Sequence, residues 1–509
     1  MLEVGRTKKA AINVAFSFMN QLLTLILSFI SRTVFVWGLG ASYLGINGLF
    51  GDVLGLLSMA DLGFGTAMVF SFYKPLAEGD YKKMAGLTTF YKKIYTIIAI
   101  GVATIGIAII PILPYIIKLD QEVPNLVIYY LLSLANVVFS YLCVYRTSIL
   151  SADQKNYKVT GITMIVNCLR SILQIIGIVL FKSYILYLVL GCLSALINNI
   201  VASYIATKEY PFINEKVELS KEEKKSIFDN IGSVFLYKVS SVLLNTTDNL
   251  LISVMIGTLA VGYYSNYLLL QNKISVFYTL LFTSITASIG NLIVKEKAEK
   301  RYEIFKCEQS VSFIVCGVVI PCYVVLVNDL VKVWLGSEYV LDTVVVIAIG
   351  INMYLSCVLQ PLWSYREATG LYRKTKWVMF FCAVLNLVLS ILFGMKIGLA
   401  GILFASGVSR LLTYVWYEPK LLFKEYFGVT PQKYYLQIIS NFCLIVVLCF
   451  GLGLLSKYIC VTNIFMWIVE ASIVGGVSLV IVLLLYSKTD GFKILKIKIL
   501  PYIQNIFRR

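Results

Sequence analysis

The chain contains no histidine. That single absence removes Ser-His-Asp and Cys-His catalysis together with the usual zinc ligand sets. Acidic residues are scarce, 27 against 44 Lys and Arg, which leaves a net charge of +17. No GxxxxGK followed by Ser or Thr occurs, so nucleotide hydrolysis by this chain is not expected. The eleven cysteines form no CxxC, and all but Cys307 lie in or at the edge of apolar stretches. Neither disulfides nor a cysteine metal site is expected, and nothing in the sequence calls for a cofactor. Apolar residues, in contrast, are abundant: 59% of 509, against about 45–50% in soluble domains.

An apolar run of about 20 residues crosses a hydrocarbon core about 30 Å thick. Fourteen such runs are legible, near 11–37, 43–70, 94–117, 124–150, 157–180, 184–206, 226–256, 258–293, 306–327, 340–363, 375–394, 398–418, 434–456 and 463–486. The first is too long for a signal-peptide core and reads as a retained helix. The sequence therefore predicts an all-α integral membrane protein with 14 transmembrane helices.

The connections divide by charge. The N-terminus, the 74–93, 146–158, 208–225, 295–306, 366–376 and 420–433 connections and the tail after 487 carry 34 of the 44 basic residues. The alternate connections carry only Lys118, Lys182, Lys332, Lys396 and Lys457. The positive-inside rule then predicts a cytoplasmic basic side with both termini inside, which an even number of spans requires. The excess charge encodes topology, and no nucleic-acid partner is expected.

Three patterns recur at an offset of about 216–220 residues. Leu39-Gly40 and Tyr43-Leu44-Gly45 correspond to Ile256-Gly257 and Val261-Gly262-Tyr263. Asp80-Tyr81-Lys82-Lys83 corresponds to Glu299-Lys300-Arg301-Tyr302. Tyr145-Arg146 with Lys155 corresponds to Tyr365-Arg366 with Arg373-Lys374. A six-span repeat predicts two like-oriented lobes about an axis along the membrane normal. The expected domains are an N-lobe at 1–206, a charged linker at 207–225, a C-lobe at 226–418, two extra helices at 434–486 and a basic tail at 487–509.

Five basic residues lie deep inside the runs: Arg32, Arg170, Lys238, Lys273 and Arg410. At about 2.5–3.5 kcal/mol each at a helix centre, such residues face a bundle interior or a wet cavity. They join polar stripes of helical spacing: Asn13, Ser17, Asn20, Thr24, Ser28 and Arg32; Thr163, Asn167, Arg170 and Gln174; Lys238, Ser241, Asn245 and Asp248; Tyr263, Asn266 and Lys273. The uncharged members equally suit interhelical glue, and Lys238 and Lys273 equally suit buried ion pairs. Arg32 and Asp248, at equivalent repeat positions, suggest a pair forming an outer gate. Asp52 and Asp61 in the second run are further candidates for gating or ion coupling, Asp61 beside glycines that predict a bend.

Taken together, Arg32-Thr33, Leu39-Gly40, Tyr43-Leu44-Gly45-Ile46, Asp61-Leu62-Gly63-Phe64-Gly65-Thr66-Ala67 and Thr247-Asp248-Asn249 resemble the bacterial polysaccharide (O-antigen or capsule) repeat-unit flippases. These belong to the multidrug/oligosaccharidyl-lipid/polysaccharide (MOP) exporter superfamily. The resemblance implies a MATE-like pseudo-twofold pair of six-helix lobes with two additional C-terminal helices, working by alternating access. It implies an undecaprenyl-pyrophosphate-linked oligosaccharide as cargo, in a bacterial inner membrane. A cationic cavity of Arg32, Arg170, Lys238, Asn245, Asn266, Lys273 and Arg410 would receive that cargo, with Asp52, Asp61 and Asp248 gating or coupling to H+ or Na+. A polysaccharide polymerase machinery is an implied partner. A lipid II flippase and a drug/cation antiporter of the same superfamily remain alternatives. A membrane glycan polymerase or ligase fits less well, because the longest outer connection, near 328–339, offers only Asp329, Lys332 and Glu338.

Overall fold

A computed structural model describes residues 6–61, 64–119, 123–494 and 496. The described residues are helical throughout, with no strand. They form two compact units, Met1–Gly262 and Tyr263–Arg509.

The first unit holds α1 (Arg6–Leu39), α2 (Ala41–Leu57), α3 (Phe64–Glu78), α4 (Tyr81–Ile109), α5 (Leu113–Ile116), α6 (Leu126–Tyr141), α7 (Val144–Ala152), α8 (Asn156–Phe181), α9 (Tyr184–Glu209) and α10 (Lys221–Met255). Here α8 packs between α1 and α9, α6 lies on α9, and α2 lies on α10. On α1 the large apolar residues Leu22, Ile26 and Ile30 point outward, spaced by four. Asn20, Thr24, Ser28 and Arg32 are half-buried on the other side, so the polar stripe turns away from the outward-facing side, as a lipid boundary demands. A capping box starts α10: the Ser220 hydroxyl accepts from the Glu223 backbone N–H, and the Glu223 carboxylate accepts from the Ser220 N–H. Lys93–Glu218 ties the segment ahead of it to α4, and Lys83–Glu223 ties the first turn of α10 to the same helix, each at 2.9 Å.

The helix α11 (Thr258–Lys295) begins in the first unit and continues into the second. There follow α12 (Ala298–Trp334), α13 (Thr343–Val358), α14 (Gln360–Thr369), α15 (Tyr372–Ile397), α16 (Leu399–Leu412), α17 (Tyr414–Leu422), α18 (Gln432–Ser456) and α19 (Ile464–Tyr486). In this unit α15 packs on α16, α13 on α12 and α16, and α18 and α19 on α12. Leu326, Leu448, Leu452, Val474 and Val482 form the apolar seam that holds the last two helices against α12.

All fourteen expected runs fall on helices. Among the described residues, nine segments are long and apolar enough to cross a membrane, and two more qualify as bent pairs: α6 with α7, at 46°, and α13 with α14, at 43°. The other three expected spans lie on α2–α3, α10 and α11. The first is broken by a 3-10 turn at Ser58–Asp61, which is where the glycine-flanked Asp61 predicted a bend. In α10, Lys238, Asn245, Asp248 and Asn249 dilute the apolar stretch, and Asn266 and Lys273 interrupt α11. At 35 and 38 residues these two helices are about 50 Å long or more, so length is not what they lack. Most of the expected basic tail at 487–509 lies outside the described residues.

Candidate substrate site

The charged residues inside the helices sort into separate groups. In the first unit, Arg32 on α1 and Arg170 on α8 both act electrostatically on one phenol, Tyr187 of α9. Arg32 Nη1 and Arg170 Nε are buried without a hydrogen-bond partner among the described residues. Around them the polar stripe of α8 serves as interhelical glue. Thr163 donates to Asn198 Oδ1 at 3.1 Å, and Gln174 Nε2 donates to the Tyr187 carbonyl at 2.8 Å. Neutral stripe members thus satisfy one another across α8 and α9. The guanidiniums keep donors that the protein leaves unfilled, at a cost that an external acceptor such as a phosphate oxygen offsets.

The acids form two further groups. Asp52 on α2 accepts from Asn249 Nδ2 on α10 at 2.7 Å, and Asp248 lies close enough to act on the same carboxylate. Asp61, in the 3-10 turn, faces Tyr95 of α4 and feels the ammonium of Lys238 on α10. Arg32 and Asp248, both described, do not pair as an outer gate in this conformation. The guanidinium is turned to Tyr187, and the carboxylate sits beside Asp52. The Asn245 side chain lies outside the described set.

In the second unit, Asn266 on α11 is fully buried, and Lys273, about two turns further along, is half-buried. Arg410 on α16 donates from Nη1 to Ser356 Oγ at 3.2 Å and lies near Tyr278 of α11, while its Nε has no partner. Arginine set against tyrosine therefore occurs in both units.

Several residues here were not singled out from the sequence. Tyr187 carried no signal beyond being one of 34 tyrosines. Asn249 adjoined a chosen aspartate and was passed over. The ion pair between Arg366 and Glu418, at 2.7 Å with both side chains buried, joins α14 to α17. Its acid, like the buried Glu308, stands near a basic connection and reads in the sequence as a solvated charge.

Long apolar helices with outward apolar faces and broken spans define a multi-pass membrane protein, with half-buried arginines set against phenols. A family model described as polysaccharide biosynthesis protein matches residues 10–289, more than half of the chain. The chain belongs to this polysaccharide biosynthesis family, within the MOP superfamily that its residues resemble. No curated protein sequence matches it. Among solved structures, a lipid II flippase, MurJ, in an inward closed conformation superposes with a TM-score of 0.65 at 15% identity, covering 93% of this chain and 99% of that one. An inward-facing MATE family multidrug transporter of the MOP superfamily gives 0.58 at 16% identity, covering 77% and 93%. A Vibrio cholerae MATE transporter gives 0.52 at 14% identity, covering 82% and 99%. At these identities the superpositions establish the MurJ/MATE-like fold.

Proposed function

We propose that this protein flips polyprenyl-pyrophosphate-linked oligosaccharide repeat units from the cytoplasmic to the outer leaflet of a bacterial inner membrane. The observation that carries the reading is the pair Arg32 and Arg170, held around Tyr187 with unfilled guanidinium donors inside a helical bundle. Planar, permanently charged forks suit phosphate oxygens better than any other side chain. The family supplies the glycan, and the superposition on a lipid II flippase supports a lipid-linked one.

The energetics fit. Each sugar hydroxyl stripped of water unpaired costs about 1–3 kcal/mol, so unassisted passage of several sugars is prohibitive and a hydrated lumen removes most of the barrier. Outward movement of a negative charge down a negative-inside potential gains about 2.3 kcal/mol per charge per 100 mV. Lys238, Asn245, Asn266, Lys273 and Arg410 complete the cationic path in this reading. Asp52 with Asp248 and Asn249 is its coupling site for H+ or Na+, and Asp61 its hinge. Fourteen spans, two six-helix lobes with an added pair, and cytoplasmic termini belong to the same proposal. The drug/cation antiporter reading draws on the Asp52–Asp248 proximity alone and leaves five half-buried cations unused.

Complementation tests it. In a strain lacking its own repeat-unit flippase, the chain restores surface polysaccharide, Arg32→Gln and Arg170→Gln at equal membrane abundance do not, and Arg32→Lys restores part. Full rescue by both glutamine variants defeats the site; failure of the unaltered chain with several repeat-unit structures defeats the cargo.

A further inference from the structure

A second site lies apart from these charges, in the unit Tyr263–Arg509. A cavity of about 220 Å³ opens between α12, α18 and the residues just beyond α19, at the end of the bundle that carries the basic connections. Its walls are aromatic: Phe305 packs on Phe423 at 5.3 Å and on Tyr434 at 5.8 Å between ring centroids. Phe423 opens a π-helical turn, Phe423–Phe427, an irregularity that recurs at functional positions.

Two of the buried polar side chains on this cavity, Gln309 and Tyr434, are unmatched among the described residues. Gln309 is 3% exposed, yet neither its Oε1 nor its Nε2 has a hydrogen-bond partner among the described residues. The buried Tyr434 hydroxyl, on the same wall, is likewise unfilled. Leaving a buried amide unmatched on both atoms costs more than leaving one atom so. The cavity is also bounded by one cation and one anion, Lys306 and Asp490, with no salt bridge between them among the described residues. Lys306 lies over the Tyr302 ring, its Nζ 5.2 Å from the centroid.

We propose that this cavity binds the headgroup of a zwitterionic phospholipid, its phosphate at Lys306 and its ammonium at Asp490, with the Gln309 amide between them. A purely anionic headgroup satisfies Lys306 and is opposed by Asp490; a purely cationic one meets the reverse. A phosphate joined to an ammonium satisfies both, and a carboxamide can donate to the one and accept from a protonated partner of the other. The ligand comes from the bilayer because the cavity adjoins outward apolar surface on the helices that build it. Leu436 and Ile439 flank Gln437 on α18, and Leu484 and Leu485 precede Tyr486 on α19, all exposed. Aromatic walls with polar tips suit the membrane–water boundary.

The test is thermal unfolding of the purified full chain in detergent, titrated with short-chain phosphatidylethanolamine, phosphatidylglycerol or free phosphoethanolamine. Phosphatidylethanolamine raises the unfolding midpoint, and phosphatidylglycerol does so at concentrations about tenfold higher. Asp490→Asn abolishes that preference, and Lys306→Gln weakens both lipids. Gln309→Leu removes the response; since that variant fills a core position, the exposed Gln437→Ala provides a fold-neutral weakening at the same wall. Equal response to both lipids, or a response indifferent to Lys306→Gln and Asp490→Asn, overturns the proposal. A response to free phosphoethanolamine equal to that for the lipid overturns the bilayer source. None of these readouts depends on polysaccharide transport, so this site and the flippase reading fail separately.

Discussion

Lys155 grips Glu209 at 2.6 Å, and Lys374 grips Glu425 at 2.6 Å in the other unit. Each latch ties the entry of one long helix to the far end of the next, α8 to α9 and α15 to the turn after α17. Neighbouring features keep the same offset. Arg146 on α7 donates to Ser203 Oγ of α9 at 3.2 Å, and Arg366 on α14 donates to Glu418 of α17. The bends that split α6 from α7 and α13 from α14 fall at Leu142 and Leu359. The correspondence first visible as Tyr145-Arg146 and Tyr365-Arg366 thus extends to bonds and bends.

The two latches differ in setting, and their losses should differ. Lys155 also bonds Asp153 and the Tyr210 hydroxyl, and its side chain is 21% exposed; Lys374 is 55% exposed and has the single partner Glu425. Isolated exposed pairs contribute about 0–1 kcal/mol, whereas networks contribute more than their pairs. Glu425→Gln is expected to leave the unfolding midpoint in detergent nearly unchanged, and Glu209→Gln to lower it measurably. Burial opposes the Lys155 charge, but its bonds to Asp153, Glu209 and Tyr210 win and hold its pKa above the ordinary lysine value. A raised lysine pKa stabilises fully below the unfolded value of about 10.5 and ceases to do so as pH rises through the folded one. The Glu209→Gln deficit is therefore constant from about pH 6 to 9. A deficit that vanishes inside that window contradicts the network.

The helix starts α2 and α11 cross backbone to backbone. A Cβ on Gly45 would stand 2.0 Å from the Thr258 carbonyl oxygen, and one on Gly262 would stand 2.3 Å from that of Ala41. These glycines occupy corresponding positions of the repeat and meet each other reciprocally. Gly45→Ala and Gly262→Ala each force the helices apart and are expected to cost about 1–3 kcal/mol or more. Gly51, one and two-thirds turns along α2, has open space around its Cβ position. Gly51→Ala is expected to be neutral or to stabilise by up to about 1 kcal/mol through helix propensity. The measurement is folded yield and unfolding midpoint of the three purified variants; equal effects contradict the close crossing.

Span positions were legible because hydrocarbon leaves a helix no choice but about 20 apolar residues. The stripes were legible because period 3.6 puts Asn20, Thr24, Ser28 and Arg32 on one side. Partners were not. Arg32 was expected beside Asp248 by repeat symmetry, but α1 packs on α8, and that neighbour brings Arg170 and Tyr187 to it. Which helix lies next to which depends on long-range packing that no local period encodes. Glu418 and Glu308 escaped notice for another reason: near basic connections, acids read as solvated charges, and only the folded chain shows them buried.

The α1 stripe gives a direct test of whether Arg32 lines a wet path. Ser28, one turn before Arg32, is half-buried, whereas Ile26 is 54% exposed on the outward face. In a background with the native cysteines replaced, Ser28→Cys is expected to react with a membrane-impermeant hydrophilic thiol reagent and Ile26→Cys is not, since a thiolate needs water to form. Added lipid-linked oligosaccharide should slow the reaction at position 28. Reaction at 26 alone would place the stripe in dry packing.

Asp61 and Lys238 decide between a hinge lock and a working charge. If the contact is structural, Asp61→Asn and Lys238→Met each lower the unfolding midpoint, and the double variant loses less than the sum of the two. If Lys238 instead serves the cargo, Lys238→Met abolishes polysaccharide export with the protein still folded, and adding Asp61→Asn does not bring export back. The electrostatic contact across the Ser58–Asp61 break favours a coupling between the two residues in stability. A double-mutant cycle read in both unfolding midpoint and surface polysaccharide separates the roles, because packing and transport enter the two readouts independently. The expected result is a coupling of at least about 1 kcal/mol in stability together with export that only the unaltered pair sustains; strict additivity in both readouts removes Asp61 and Lys238 from the mechanism.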